Sequence, residues 1–537
     1  MRITAKIMQN NSLSNINTNK TLQDKLNTQM ATEKKINRPS DDPVIAIRAL
    51  RLRTNVSQVT QYYEKNVPDA DSWLQITEDA LSTVSEVITD MYDQCKKGAS
   101  EKLTSTDRNT ILDALKSLRD EVYATGNADY AGRSVFTGYR TDSTLKFVSD
   151  EQKKYSITEQ ITTSKIDAIT HVKTEDLNGI NEVNYNSAEY QNLKEQDIEP
   201  QTVYRIRLAY SDVDGAEPVI KTYNSQTGEY EAIPTTYMTD EDGDGTPETT
   251  NPVMRIASVL DENNPYEEIA SKPDAVILIK ETGELLLGQN VYENLMSHKD
   301  DTATVFDESS LLVTYEKTNW EKDDLKPEHY FTCTDKTDAD TSKHVTYNSN
   351  YIVPGEEVEK QVIEYDIGMN QTIRVNTTAD EVFVHDIGRD VDDLVRAMQD
   401  VVDMEETVAK LEGMLEGYAE GSTERQTIQN QLDAANKAMT YLAEKAQKMF
   451  ENGITKMQGH LDTVNLAVTN CGTRGQKLEL IEKRLMSQKT NFENLESENE
   501  NVDITDVAIK LSSAELTYEA ALMATGKIMQ TSLMNYI

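Results

Sequence analysis

Apolar residues recur in alternating steps of four and three at both ends of this chain, and in steps of two through its middle. At the C-terminal end Val507, Leu511, Ala514, Tyr518, Ala521, Thr525 and Ile528 keep the four–three rhythm, with Leu522 beside it. That spacing predicts a helix over 503–537 carrying one narrow seam, as a coiled-coil partner does. Small residues flank the seam and would let another helix approach closely. Near the start, Ile45, Ala49, Leu52, Val56, Val59 and Tyr63 begin a run that holds the same rhythm to Met91. Pro68 lies inside it, and the unbroken phase predicts a kink there rather than a break. Upstream, Leu22, Leu26 and Met30 share a face of a weaker helix over 13–31, and a further helix is expected over 106–125.

Between the first two helices stands Asn37-Arg38-Pro39-Ser40-Asp41-Asp42-Pro43-Val44. Two prolines exclude a helix interior, so this is a turn. Asp41 or Asp42 can cap the next helix, with Pro43 at its first position. Steps of two appear at 203–210, 275–280, 284–287, 362–367 and 373–375, and the second and third of these read as a hairpin across Glu281-Thr282-Gly283. Helices return from Arg389: one filled by Leu394 to Leu415, a second over 423–451, a third over 454–495, then the terminal one. The expected fold is α+β, an elongated helical coiled-coil rod from both termini with an inserted β-rich domain. Its parts would be an N-terminal assembly arm (1–43), two halves of the rod (44–139 and 386–495), the insert (140–385) and a C-terminal assembly helix (496–537).

Composition narrows the partners. With 54 basic and 93 acidic residues among 537, the net charge is -39. Such a chain repels nucleic acid and anionic membrane surfaces. No apolar run approaches the roughly 20 residues that cross a bilayer, and the first residues lack a signal-peptide core. The expectation is a chain that is cytosolic or exported without a cleaved signal. Three scattered cysteines make no disulfide framework.

Chemistry is sparse. No histidine lies within a helical turn of another, and no zinc, phosphate-loop, dinucleotide or nucleophile-elbow motif occurs. No catalytic residue and no cofactor is expected. One local pattern stands out: Asp240, Asp242 and Asp244 alternate ahead of Gly245, like the start of a calcium-binding loop. Asn251 at the twelfth position and Pro247 depart from that loop, so an acidic turn is the alternative.

Four stretches carry a resemblance to the bacterial flagellin superfamily. Pro39-Ser40-Asp41-Asp42-Pro43-Val44 resembles a signature of that family's hook-associated branch, where the filament subunit has a Lys-Asp-Asp-Ala-Ala-Gly type of sequence. Gly132 to Gly138 resembles the element that ends its N-terminal helices. Gly472 and Arg474, with Leu478-Glu479, match its Gly-x-Arg and following Leu-Glu. The last residues, Ser532 to Ile537, resemble its ending. The resemblance implies a structural, non-enzymatic flagellar subunit polymerising through its terminal helices. It further implies a ring of like subunits at the hook–filament junction, between hook-associated protein 1 and flagellin. Export through the flagellar type III apparatus, with a cytosolic chaperone on the C-terminal helix, and an extracellular location also follow from it. A filament subunit, or an insert acting as an adhesin, are the alternatives. Leu22, Leu26, Ile45, Leu52 and Val56, with the C-terminal seam, are the candidate assembly residues.

Overall fold

The computed structural model describes residues 5–100, 102–188, 190–224, 227–233, 236–239, 249–252, 254–261, 264–297, 310–352 and 361–530. The acidic stretch holding Asp240, Asp242 and Asp244 lies outside the described residues, as do residues 531–537. The fold is α+β. Helices α1 (Ala5–Thr32), α2 (Pro43–Gln61), α3 (Val67–Gly98) and α4 (Ser105–Thr125) open the chain. Strands β1 (Asp129–Tyr130), β2 (Arg133–Ser134), β3 (Glu151–Thr162) and β4 (Asp167–Val172) follow, then α5 (Glu175–Asn178). Next come β5 (Pro200–Arg207), β6 (Val219–Asn224), β7 (Glu229–Ala232), β8 (Thr236–Thr239), β9 (Thr249–Pro252) and β10 (Met254–Ala257). Helix α6 (Pro265–Ser271), β11 (Val276–Ile279), β12 (Glu284–Leu287), α7 (Gln289–Ser297) and β13 (Ser310–Trp320) continue. The middle closes with β14 (Thr332–Asp335), β15 (Val345–Tyr347), β16 (Glu364–Gly368) and β17 (Gln371–Arg374). Helices α8 (Ala379–Val382), α9 (His385–Glu416), α10 (Thr423–Glu500) and α11 (Ile504–Gln530) end the chain.

These elements fall into two compact units. The first holds residues 1–71, 365–373 and 475–537; the second holds 72–364 and 374–474. In the first unit the helical run continues past Pro68, as expected, through a π-helical turn over Tyr62–Asn66. Proline has no N–H to give the carbonyl of Glu64. The N–H of Val67 reaches back five residues to Tyr62 instead. The β16–β17 hairpin lies against this turn. Asn66 donates to the carbonyl of Asp366 at 2.7 Å, and the Tyr365 hydroxyl donates to Asp69.

The second unit is built on two sheets. One has the order β15-β14-β3-β13-β6-β7, antiparallel throughout; the other has the order β10-β11-β12-β5-β4, with only β10–β11 parallel. The expected hairpin is present as β11–β12. Its Gly283 has φ +62, and a side chain there would run into the carbonyl of Tyr210, so only glycine makes this turn. The longest pair, β3 with β13, carries no clean alternation in the sequence. Glu159 on β3 and Lys317 on β13 are both buried, so polar residues occupy inward positions.

The two helices expected over 423–451 and 454–495 are a single helix, α10, of 78 residues. Gly453 does not end it. A side chain there would press on Leu394 at 3.1 Å and on the Cys95 sulfur at 3.4 Å, so the glycine lets α3, α9 and α10 approach closely. Gly98 ends α3 as expected, and the ring of Phe450 takes the space its side chain would fill.

Candidate assembly interface

The candidate assembly residues lie on the four helical segments of the first unit. Two elbows organise them: residues 33–42 between α1 and α2, and residues 501–503 between α10 and α11. The first elbow is a built turn. The Asp41 carboxylate accepts from the backbone N–H of Arg38 at 2.9 Å and of Asn37 at 3.1 Å. Those bonds, that from Arg38 first, hold its pKa below the usual carboxylate range. Asp42, rather than Asp41, caps α2. Its carboxylate accepts from Val44 at 2.9 Å and Ile45 at 3.2 Å, with Pro43 in the first turn. Pro39 and Ser40 complete the turn. At the other elbow Asp503 caps α11, accepting from Thr505 at 2.8 Å and Asp506 at 3.3 Å.

The elbows are tied to each other through the backbone. Lys35 donates to the carbonyl of Glu500 at 2.7 Å, Val502 donates to that of Glu33 at 3.0 Å, and Lys34 pairs with Asn501 as an antiparallel bridge. Beneath the bridge Glu500 is buried. It accepts from Arg53 at 2.5 Å and from Lys34 at 3.2 Å. The Arg53 bond, with help from Lys34, outweighs burial and depresses the Glu500 pKa. Asn499 reaches the carbonyl of Ile45 at 3.2 Å, and Lys489 binds Glu64 at 2.5 Å, so α2 and the end of α10 run antiparallel. Glu500, Arg53 and Lys34 carried no signal in a chain with 93 acidic residues; only the pairing of the elbows singles them out.

The C-terminal seam is real, and this chain closes it. Val507, Ala514 and Thr525 are buried, while Leu511, Tyr518 and Ala521 are half-buried. Their partner is α1, not the long helix that begins at Pro43: Leu26 packs with Val507 and Ala514, and Leu511 lies against them. The covered face of α1 is Ile16, Asn19, Gln23 and Leu26, a four–three stripe with polar members. Gln23 reaches Glu515 across the pair at 3.5 Å. Leu22 and Met30, which share the sequence face of Leu26, are exposed. On α2, Ala46, Ala49 and Val59 are buried, while Ile45, Leu52 and Val56 are half-buried. The side chain of Ile528 lies outside the described residues.

A second stripe on α11 is left open. Ile509, Leu516 and Met523 stand seven residues apart and are 65%, 69% and 66% exposed. Ser513 and Ala520 fill the intervening steps. This stripe is displaced by two residues from the closed one. Two residues are about 200° on a helix, so it faces away from α1. Leu522 lies outside the closed seam and is also exposed, as are Val44, Ile47 and Leu50 on α2. Gly472 and Arg474 belong to the second unit instead. Arg474 donates to the carbonyl of Asn376 at 3.0 Å, and Gly472 leaves ordinary contact distance to Glu78. Among the described residues no cluster of side chains could hold a metal ion, and no helix is long and apolar enough to cross a membrane.

Residues 3–141 match the family model of the bacterial flagellin N-terminal helical region. Over 187 residues the chain is 28% identical to flagellar hook-associated protein 3 of Salmonella typhimurium, covering 34% of this chain and 58% of that one. Over 177 residues it is 29% identical to flagellar hook-associated protein 3 of Escherichia coli, covering 32% of this chain and 55% of that one. The matches thus span little more than half the length of these relatives. Among solved structures, the flagellar junction protein of Legionella pneumophila aligns with 85% of this chain and 100% of its own, at 10% identity and a TM-score of 0.25.

Proposed function

We propose that this flagellin-like chain, similar to flagellar hook-associated protein 3, is a structural subunit of the bacterial flagellum that forms the junction between hook and filament. It catalyses nothing in this reading. It polymerises through its terminal helices, contacts hook-associated protein 1 on one side and flagellin on the other, and repeats around a ring of like subunits. It reaches the cell exterior through the flagellar export apparatus, with a chaperone covering the C-terminal helix beforehand.

The observation that carries this reading is the open stripe on α11. The chain satisfies one seam internally through α1 and leaves Ile509, Leu516 and Met523 exposed on the opposite face at heptad spacing. A helix apolar on two faces suits an assembly in which each subunit completes itself and then joins neighbours. The matched hook-associated relatives and the flagellin helical region supply the setting.

The test separates the two seams. Leu516→Asp should leave the helicity of the isolated chain unchanged and abolish ring assembly and motility. Leu511→Asp should lose helicity in the monomer as well. Normal motility in both variants overturns the reading. Deletion of the gene should leave hooks bare and flagellin in the medium. Immunogold labelling along the whole filament would replace the junction with a filament subunit.

A further inference from the structure

The open stripe on α11 has a counterpart on α2, and both helices belong to the first unit. Along α2, Ile47, Arg51, Thr54, Gln58 and Gln61 step by four and three, and all five are exposed. They lie on the side of the helix away from the covered Ala49, Leu52 and Val56. On α11, one flank of the stripe holds Ser512 and Glu519. Met523, Glu519, Leu516, Ser512 and Ile509, taken backwards, therefore also step by four and three, and all five are exposed. With all ten residues exposed in the single chain, neither seam closes the other within it.

Each seam carries one charge, and the two are opposite. Residues 43–63 hold Arg48, Arg51 and Arg53 and no acid, in a chain with 93 acidic residues. Arg53 is engaged with Glu496 and Glu500. Arg51, in the seam, forms no ion pair among the described residues. On α11, Asp506 and Lys510 bind each other at 2.5 Å, and Glu515 is met by Gln23 of α1. Glu519, in the seam, forms no ion pair among the described residues. Two copies of so acidic a chain repel each other. A matched pair of opposite charges then selects the orientation in which they can meet.

We propose that α2 of one copy pairs antiparallel with α11 of the next, so that the two open seams close on each other. In that direction the steps coincide. Ile47 meets Met523, Arg51 meets Glu519, Thr54 meets Leu516, Gln58 meets Ser512 and Gln61 meets Ile509. No parallel alignment that keeps step sets Arg51 against Glu519. A single charged pair inside a seam fixes its register, as a polar residue at a core position does in coiled coils. The two surfaces differ, so the contact is head-to-tail and repeats from subunit to subunit. This inference rests on the assembly reading above and names what the open stripe meets.

Self-association of the full chain is followed by sedimentation equilibrium over rising concentration. Arg51→Glu and Glu519→Arg each set like charges against each other, and each should weaken association by about tenfold. Both side chains are exposed, and melting curves establish that the variants fold. The double variant carries the pair reversed and should associate again as the unaltered chain does. Should a charge variant fail to fold, cysteine pairing reads the same contact. A chain with Ile47→Cys, mixed with a chain with Met523→Cys and oxidised, should give a disulfide between the two different chains. The proposal is overturned if the chain does not self-associate, if the reversals leave association unchanged, if the double variant is not restored, or if each cysteine chain links only to itself. Association that is indifferent to the reversals overturns this pairing and leaves the junction reading standing. Filaments that stay attached after deletion of the gene overturn the junction reading itself.

Discussion

Helices α1 and α11 pair in the first unit; helices α9 and α10 pair in the second, and the contrast between the pairs is instructive. Along α9, 16 of 32 residues are buried, among them Ile387, Val391, Leu394, Val401, Met404 and Leu411. Of these, Val401, Met404 and Leu411 share a core with Ala434, Ala435 and Ala438 of α10 and with Val172, Leu177 and Ile198. Along α1 only Leu26 is buried, and along α11 only Val507, Ala514 and Thr525 among the positions with described side chains. At about 25 cal/mol per Å² of apolar surface, α9 is stabilised by its own core and α1 hardly at all. The second unit also buries charge. Arg205 binds Glu284 at 2.8 Å and also Asp393, while Arg396 meets Glu284 at 2.9 Å. Lys456 and His460 hold Asp390 at 2.8 and 3.0 Å. The first unit relies on a backbone bridge and the Glu500 pair. One unit is complete in the single chain; the other is left short of apolar burial and exposes a second stripe.

The strongest way to break this contrast is to unpair the buried charges. Asp393→Ala takes away the carboxylate shared by Arg205 and Arg207, leaving Glu284 and Asp390 as their close partners, and should cost the second unit about 3–5 kcal/mol in urea unfolding. Acid should act on the same cluster. Burial alone would raise the Asp393 pKa, but Arg205 and Arg207 hold it at about 2 against an ordinary 3.8. Its stabilising contribution is therefore present above pH 3.8 and lost as pH falls toward 2; a flat stability over that window would remove the cluster from the account. Gly98→Val drives a side chain into Phe450 and should cost about 1–3 kcal/mol by overpacking, read as a lowered melting temperature.

Smaller effects sharpen the contrast. Burial raises Glu159 to about 7 despite donors from Tyr315 and Ala209. Folding thus favours the neutral acid, and a penalty grows as pH rises from 4.5 to 7. Glu159→Gln should stabilise the second unit by about 1–2 kcal/mol at pH 8 and change nothing at pH 4. Val507→Ala should cost only about 1 kcal/mol, with helix lost from α1 and α11 and none from α9. A loss of far-UV signal from both pairs would mean that the units do not differ in cohesion as described.

Sequence pattern recovered what repeats and missed what is satisfied by polar groups. The α11 seam was legible because its covered residues are apolar or small at regular steps. Its partner face on α1 was not, because Asn19 and Gln23 occupy covered positions while the apolar Leu22 and Met30 look outward. The β11–β12 hairpin was legible from Val276-Ile-Leu-Ile279 and a glycine turn. The β3–β13 pair was hidden by inward Glu159 and Lys317, each stabilised by partners distant in sequence. Lys317, for example, donates to the carbonyl of Ser211 at 2.7 Å. Gly453 reads as a break in isolation; Leu394 and Cys95, which require it to be small, are remote along the chain.

The bridge between Lys34 and Asn501 also sets an order of events in time. Those residues are separated by 466 others, so the elbow cannot close until Asn501 has been made. Closing so long a loop is entropically late, and long-range contacts slow folding. The hairpin at 276–287 and the α9–α10 turn need only local contacts and can form during synthesis. A newly made chain therefore keeps α1 unpartnered until α11 has been synthesised.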